Sequence, residues 1–120
     1  MILLPTINQV AQIEAKLNRE FPKCFKAYIS QHQYFTSNQF VSNEIHFIKN
    51  IHDIKKFSEQ SDYPTSSLLL FFVDKTNQDY YCFDTDEKVV AYSVHTIVHE
   101  WKDFECWLKW CIQKPKDMDS

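Results

Sequence analysis

Apolar side chains recur at helical spacing near the start of the chain, at Val10, Ile13 and Leu17. Thr6 and Gln9 precede this stripe in the order of a capping box, in which the threonine caps the helix and the glutamine reaches back to it. The pattern therefore predicts an amphipathic helix over residues 7–18.

A second helix is predicted to follow immediately. Pro22 suits the first position of a helix, where its missing N–H costs nothing. Phe25, Tyr28 and Ile29 then share one helical face, and the pattern ends near Gln31. Two antiparallel helices joined by a short turn are the expected opening of the fold.

The period then changes from helical to that of β-strands. Short β-prone runs at Tyr34-Phe35 and at Glu44–Ile48 are bounded by serine and asparagine. Three longer runs predict consecutive strands in an antiparallel meander: Leu68–Val73, Asp79–Asp84 and Val89–Val94.

Two more helices complete the expected set. Asn50 can cap a short helix whose stripe is Ile51, Ile54 and Phe57, followed by a loop over 61–67. Asp103 can cap a final helix that runs to about Gln113 and whose core face is Phe104, Trp107, Leu108 and Cys111. The element order predicts a single α+β domain over 1–120, a twisted antiparallel sheet with helices mainly on one face, ending in a polar tail at 114–120.

Composition narrows the class of function. The formal charge is −3, which argues against general affinity for nucleic acid. No apolar run reaches the length of a membrane span, and the first residues lack the features of a signal peptide. We therefore expect a cytoplasmic protein with four reduced cysteines, Cys24, Cys82, Cys106 and Cys111. With no glycine in the chain, asparagine and aspartate are expected at left-handed turn positions, Asn77 among them.

Four segments, in this order, resemble motifs of the SUKH superfamily, which includes the Smi/Knr-type cell-wall regulators. FPKCFKAYI at 21–29 is similar to the opening segment of that family, and DYYCFD at 79–84 is similar to its strand after an acidic turn. VVAY at 89–92 and DFECWL at 103–108 match its later strand and last helix. Unlike most of the family, this chain has no glycine at 30–33 or 75–78.

The resemblance implies a protein that binds another protein and does no chemistry. Bacterial members of the superfamily are thought mostly to be immunity proteins that bind a cognate toxin, often a nuclease or deaminase, and block its active site. No cofactor, nucleic acid or membrane is expected as a ligand, and the chain is expected to be a monomer or weak dimer. A regulatory scaffold of the Smi/Knr type and a hydrolase that uses Cys82 or the histidines remain the alternatives.

The residue types that could carry chemistry favour structural roles. His95, His99, Cys106 and Cys111 are zinc-type ligands, but the two cysteines are five residues apart on a predicted helix and point about 140° apart. Asp74–Asp79 lacks the length, glycine and closing glutamate of an EF-hand loop. We therefore expect no catalytic residue and no metal site.

Acidic residues cluster in the middle of the predicted meander. Five acids and two tyrosines lie within fourteen residues: Asp74, Asp79, Tyr80, Tyr81, Asp84, Asp86 and Glu87. If that edge of the sheet is exposed, they form a negative, aromatic patch that suits the basic cleft of a nucleic-acid-processing toxin. Ordinary surface acids and core tyrosines are the alternative interpretation.

Overall fold

The computed structural model describes residues 2–40, 43–60, 67–93 and 96–113 of the chain. Its elements, in chain order, are β1 (Ile2–Leu3), α1 (Ile7–Leu17), α2 (Lys23–Gln31), β2 (Tyr34–Phe35), β3 (Ile45–Phe47), α3 (Ile51–Gln60), β4 (Leu69–Asp74), β5 (Asp79–Phe83), β6 (Val89–Ser93), β7 (Thr96–Trp101) and α4 (Phe104–Ile112). The α+β class predicted from the sequence is confirmed. Most of the predicted 61–67 loop, the end of the third predicted strand at Val94 and the tail at 114–120 lie outside the described residues.

Hydrogen bonds confirm the predicted caps of α1 and α3. The Thr6 hydroxyl accepts from the Gln9 amide at 3.1 Å, and the Gln9 side chain accepts from the Thr6 amide at 2.9 Å, so the capping box of α1 is complete. Asn50 accepts from the amide of Asp53 at 2.9 Å at the start of α3. Pro22 precedes α2 as its N-cap, one position earlier than predicted.

Five strands form one antiparallel sheet in the order β3-β4-β5-β6-β7, and β1 pairs with β2 in a separate two-stranded sheet. The meander of β4, β5 and β6 was predicted. The seventh strand was not, because the segment around His99 carried no alternation of apolar and polar residues. β7 pairs antiparallel with β6 and forms one edge of the sheet.

Aromatic side chains fill the core on the face of the sheet covered by α2 and α4. A β-bulge between Leu70 and Phe72 interrupts the pairing of β4 with β5. As a result, neighbouring Phe71 and Phe72 both pack against Trp107 of α4, with ring centroids 5.2 and 5.3 Å away. On the opposite face, Phe57 of α3 packs against Tyr80 at 6.1 Å. The central strands are therefore buried on both faces, and their outer ends and the edges are left for contact with other molecules.

Candidate functional site

Asp74, the first acid of the predicted patch, is buried. Only 1% of its surface is exposed, and its carboxylate accepts hydrogen bonds from the side-chain amides of Asn43 at 2.8 Å and Asn77 at 3.0 Å. The backbone amide of Asn77 also donates to it at 3.3 Å. Asp74 therefore ties the β4–β5 turn to the segment before β3, and its carboxylate is not available to a partner.

This network also explains which residue takes the left-handed position in the turn. Asn77 is engaged by Asp74, and Gln78 has the positive φ, 56°. The prediction that Asn77 occupies this position is wrong. Asn18 at the end of α1 follows the expectation, with φ 54°, but Glu87 in the next turn has φ 65°, so residues other than asparagine and aspartate supply two of the three left-handed positions among the described residues.

Asp79 lies opposite Asp74 across the same turn and is half-buried. Loss of water around its carboxylate raises the pKa of Asp79, and the nearby charge of Asp74 raises it further. A hydrogen bond with Ser93 acts in the opposite direction. Asp74 and Asp79 therefore lie mostly inside the protein at the β4–β5 turn. Only part of the Asp79 side chain is accessible to a partner.

The other three acids form the turn between β5 and β6. The carboxylate of Asp84 accepts from the backbone amides of Asp86 and Lys88, both at 2.9 Å, so Asp84 shapes the turn. Asp86 and Glu87 are exposed at its tip. These two carboxylates are free to meet a partner in the way the sequence suggested.

The prediction of a single acidic patch is wrong, because strand β5 separates the acidic residues into two groups. The β4–β5 turn with Asp74 and Asp79 lies at one end of this five-residue strand, and the turn with Asp86 and Glu87 lies at the other. At about 3.3 Å per residue the two groups are about 15 Å apart.

The expectation that Tyr80 and Tyr81 stand exposed as anchors is also wrong. Tyr80 is 7% exposed and Tyr81 is 4% exposed. Tyr81 packs among Phe72, Trp101 and Trp107, with ring centroids 5.5 to 5.8 Å apart, and burial raises the pKa of its hydroxyl. Both tyrosines are core residues, as in the alternative interpretation.

A different surface stands out on the structure, the outer edge of β7. Its first five residues are all exposed, including Ile97 at 45% and Val98 at 56%. A β-bulge in the pairing of β6 with β7 lies here, since Ala91 pairs with His99 and Tyr92 pairs with Ile97. The sequence signal that could have found this strand is its run of β-branched residues, Thr96 to Val98.

The inner part of β7 is held by tryptophans. The His99 ring lies 4.3 Å from the Trp101 ring, and Trp101 lies 5.0 Å from Trp110 of α4. Trp110 also packs against Phe40 at 5.6 Å. The structure places it against β7 and Phe40, where it supports the edge strand.

The cysteines and histidines do not converge on a reactive centre within the described residues. Cys82 and Cys111 are fully buried, and burial raises the pKa of both thiols. His99 shares the Tyr81 face of the sheet, and Cys82 points to the opposite face. The described ranges hold no group of three or more histidine, cysteine or acidic side chains placed to bind a metal ion. Nor does any described helix have the length and apolar character needed to cross a membrane.

Comparison with known proteins places the chain in a family. No curated protein and no solved structure matches the chain. The family model SUKH_5, described as SMI1-KNR4 cell-wall, matches residues 2–113, which is nearly the whole chain and every element of the fold. The chain therefore belongs to the SMI1-KNR4 family of the SUKH superfamily.

Proposed function

We propose that this protein is a cytoplasmic immunity protein that binds a cognate toxin domain one-to-one and blocks the toxin's active site. The observation that carries the proposal is the exposed edge strand β7, with Ile97 and Val98 on its surface. Membership of the SMI1-KNR4 family supports it, because bacterial SUKH proteins are thought mostly to have this role. Burial of Cys82 and Cys111 argues against either thiol as a nucleophile, since a nucleophile needs an accessible thiolate.

An edge strand binds other chains through its backbone. Its outer N–H and C=O groups are a template on which an extended segment of another protein can add a strand. Natural edges are usually shortened or carry lysine or proline to prevent this. The six residues Thr96–Trp101 include no lysine and no proline. The feature of the pairing that could hinder strand addition is one β-bulge. We infer that the edge is kept open for a partner.

Negative charge near β7 adds selectivity for a basic partner. Glu100 lies on the strand itself, and the strand ends at Trp101 opposite Val89, directly after the turn that carries Asp86 and Glu87. Toxins that act on nucleic acid tend to have basic clefts, because their substrates are polyanions. The partner that fits this edge is therefore a toxin domain with an extended segment beside a basic surface, and the acids speed its approach.

The test uses the toxin domain encoded next to this protein. Co-expression of the wild-type chain is expected to restore growth of cells that express the toxin. Val98→Lys places a charge at the centre of the edge, and we expect it to weaken binding of the purified toxin at least about tenfold and to abolish rescue. Ile112→Lys is the matched control, because Ile112 is 61% exposed on α4, away from the edge, and its variant is expected to rescue fully.

A regulatory scaffold is the second candidate, favoured by the cell-wall description of the matching family model. In that case β7 would bind an endogenous protein. Full growth inhibition in the presence of the wild-type chain, whatever the toxin tested from its gene neighbourhood, would contradict the immunity proposal and leave the scaffold function.

A further inference from the structure

A half-open pocket lies between α3 and the β4–β5 turn, on the face of the sheet opposite α4. Its volume is about 430 Å³, within the range of sites that hold small molecules. Among the residues that the structure describes, it is lined by Lys56, Phe57, Val73, Lys75, Gln78 and Tyr80.

The pocket has an apolar floor. Phe57, Val73 and Tyr80 are 4%, 1% and 7% exposed, so the floor consists of the outer surfaces of core side chains. Because these three side chains leave only a small apolar surface open, the floor suits a compact apolar group.

The rim is positively charged, although the protein as a whole is negative. Lys56 comes from α3 and Lys75 from the turn, and both are exposed. Neither lysine forms an ion pair within the described part of the chain, and none of the described residues that line the pocket is acidic. Two like charges facing one cavity repel each other, and an anion placed between them would relieve that repulsion.

The turn that carries half of the rim is held in place from its other side. The Lys75 amide donates to the Glu44 carbonyl at 2.8 Å, and the Glu44 amide donates to the Thr76 hydroxyl at 2.8 Å. Asn77 is bound to Asp74. These bonds fix the backbone while the side chains of Lys75 and Gln78 face the pocket, so little further ordering is needed when a ligand binds.

We propose that this pocket binds a small organic anion, with a compact apolar body on the Phe57–Tyr80 floor and a carboxylate or phosphate group between Lys56 and Lys75. Gln78 supplies an amide that donates to the same group or accepts from a neighbouring hydroxyl. The pocket and the edge strand are different surfaces, because β6 lies between them: Tyr80 of the pocket and Ile97 of β7 pair with Tyr92 from its two sides.

The test is a titration of the full chain followed by ¹H–¹⁵N NMR spectra. Benzoate and phenyl phosphate combine both features of the ligand, benzamide has the body without the charge, and inorganic phosphate has the charge without the body. We expect saturable shifts of the amide signals of Lys56, Lys75 and Gln78 with the two aromatic anions. We expect binding at least about tenfold weaker with the other two probes.

Two double variants with the same change of charge separate the pocket from general attraction. Lys56→Gln/Lys75→Gln is expected to weaken binding of phenyl phosphate at least about tenfold, and Lys55→Gln/Lys88→Gln, on exposed lysines outside the pocket, is expected to leave it unchanged. Absence of saturable binding by either aromatic anion, or equal loss in the two double variants, would overturn the proposal. A third result would also overturn the proposal: no probe binds to the wild-type chain, and Lys56→Gln/Lys75→Gln loses toxin binding. That result would assign the pocket to an acidic side chain of the partner protein.

Discussion

At the scale of single residues, the acids of this chain divide by their hydrogen bonds. Asp74 and Asp84 both point their carboxylates at neighbouring amides and thereby shape turns. Asp86 and Glu87 have exposed side chains at the tip of a turn. A sequence shows that these acids are close together along the chain, but not which of them are used internally.

Asp74→Ala is expected to lower the free energy of unfolding by about 1–3 kcal/mol, because the amides of Asn43 and Asn77 lose their shared acceptor in a buried place. Chemical denaturation measures the change. Asp86→Ala is the control, and we expect it to stay within about 0.5 kcal/mol of the wild type. Equal stability of the two variants would show that Asp74 does not hold the turn.

At the scale of elements, those with a local signal were predicted correctly. Caps and helical stripes identified the four helices of the described residues, and β-branched or aromatic runs identified the β4–β5–β6 meander. β7 was missed because an exposed edge strand has no buried face and therefore no alternation for the sequence to show. β1 was missed because two residues are too short to form a pattern, and their pairing with β2 is decided by the tertiary fold.

The N-cap of α4 gives a prediction that depends on pH. The Cys106 amide donates to Asp103 at 2.8 Å, and this hydrogen bond holds the pKa of Asp103 below its ordinary value. A lowered folded-state pKa means that the charged carboxylate stabilises the fold above the unfolded-state pKa, and that this stabilisation is lost as the pH falls through the folded-state value.

We therefore expect Asp103→Ala to cost about 1 kcal/mol at pH 7, with the difference from wild type shrinking as the pH falls below about 4. Thermal or chemical unfolding at several pH values measures it. Asp103→Asn keeps a capping oxygen that does not titrate, so its stability should lie close to the wild type at pH 7 and depend less on pH. A constant cost of Asp103→Ala across this range would contradict a role for the charged cap.

At the scale of the whole molecule, topology decided what the sequence could say about the site. The chain reverses at each turn of the meander, so acids close in sequence lie at opposite ends of the sheet, and the tyrosines between them point into the core. Of the seven predicted partner-binding residues, Asp86 and Glu87 are left as exposed candidates, and the neighbouring edge strand β7 was not foreseen. The pocket between Lys56 and Lys75 could not be predicted from the sequence either, because α3 and the β4–β5 turn, which form it, are separated along the chain.

The distribution of charge gives a kinetic prediction. Asp86→Lys/Glu87→Lys should slow association with the toxin several-fold at low salt and should reduce the dependence of the association rate on salt, because steering acts over about a Debye length. Glu44→Lys/Glu59→Lys makes the same change of charge on exposed residues away from β7 and is the control. Association rates from surface plasmon resonance at several salt concentrations separate the two. Equal rates for the two variants would remove the acidic turn from the binding surface.

Hydrogen–deuterium exchange of the chain alone and in complex with the proposed toxin tests whether a partner adds a strand to the edge at β7. Backbone amides on the open side of Thr96–Glu100 are expected to exchange readily with water in the free protein, and strand addition would bury and hydrogen-bond them. We predict that the largest slowing of exchange on binding falls on β7. Tight binding with unchanged exchange in β7, or with protection confined to another surface, would show that the partner does not add a strand at β7.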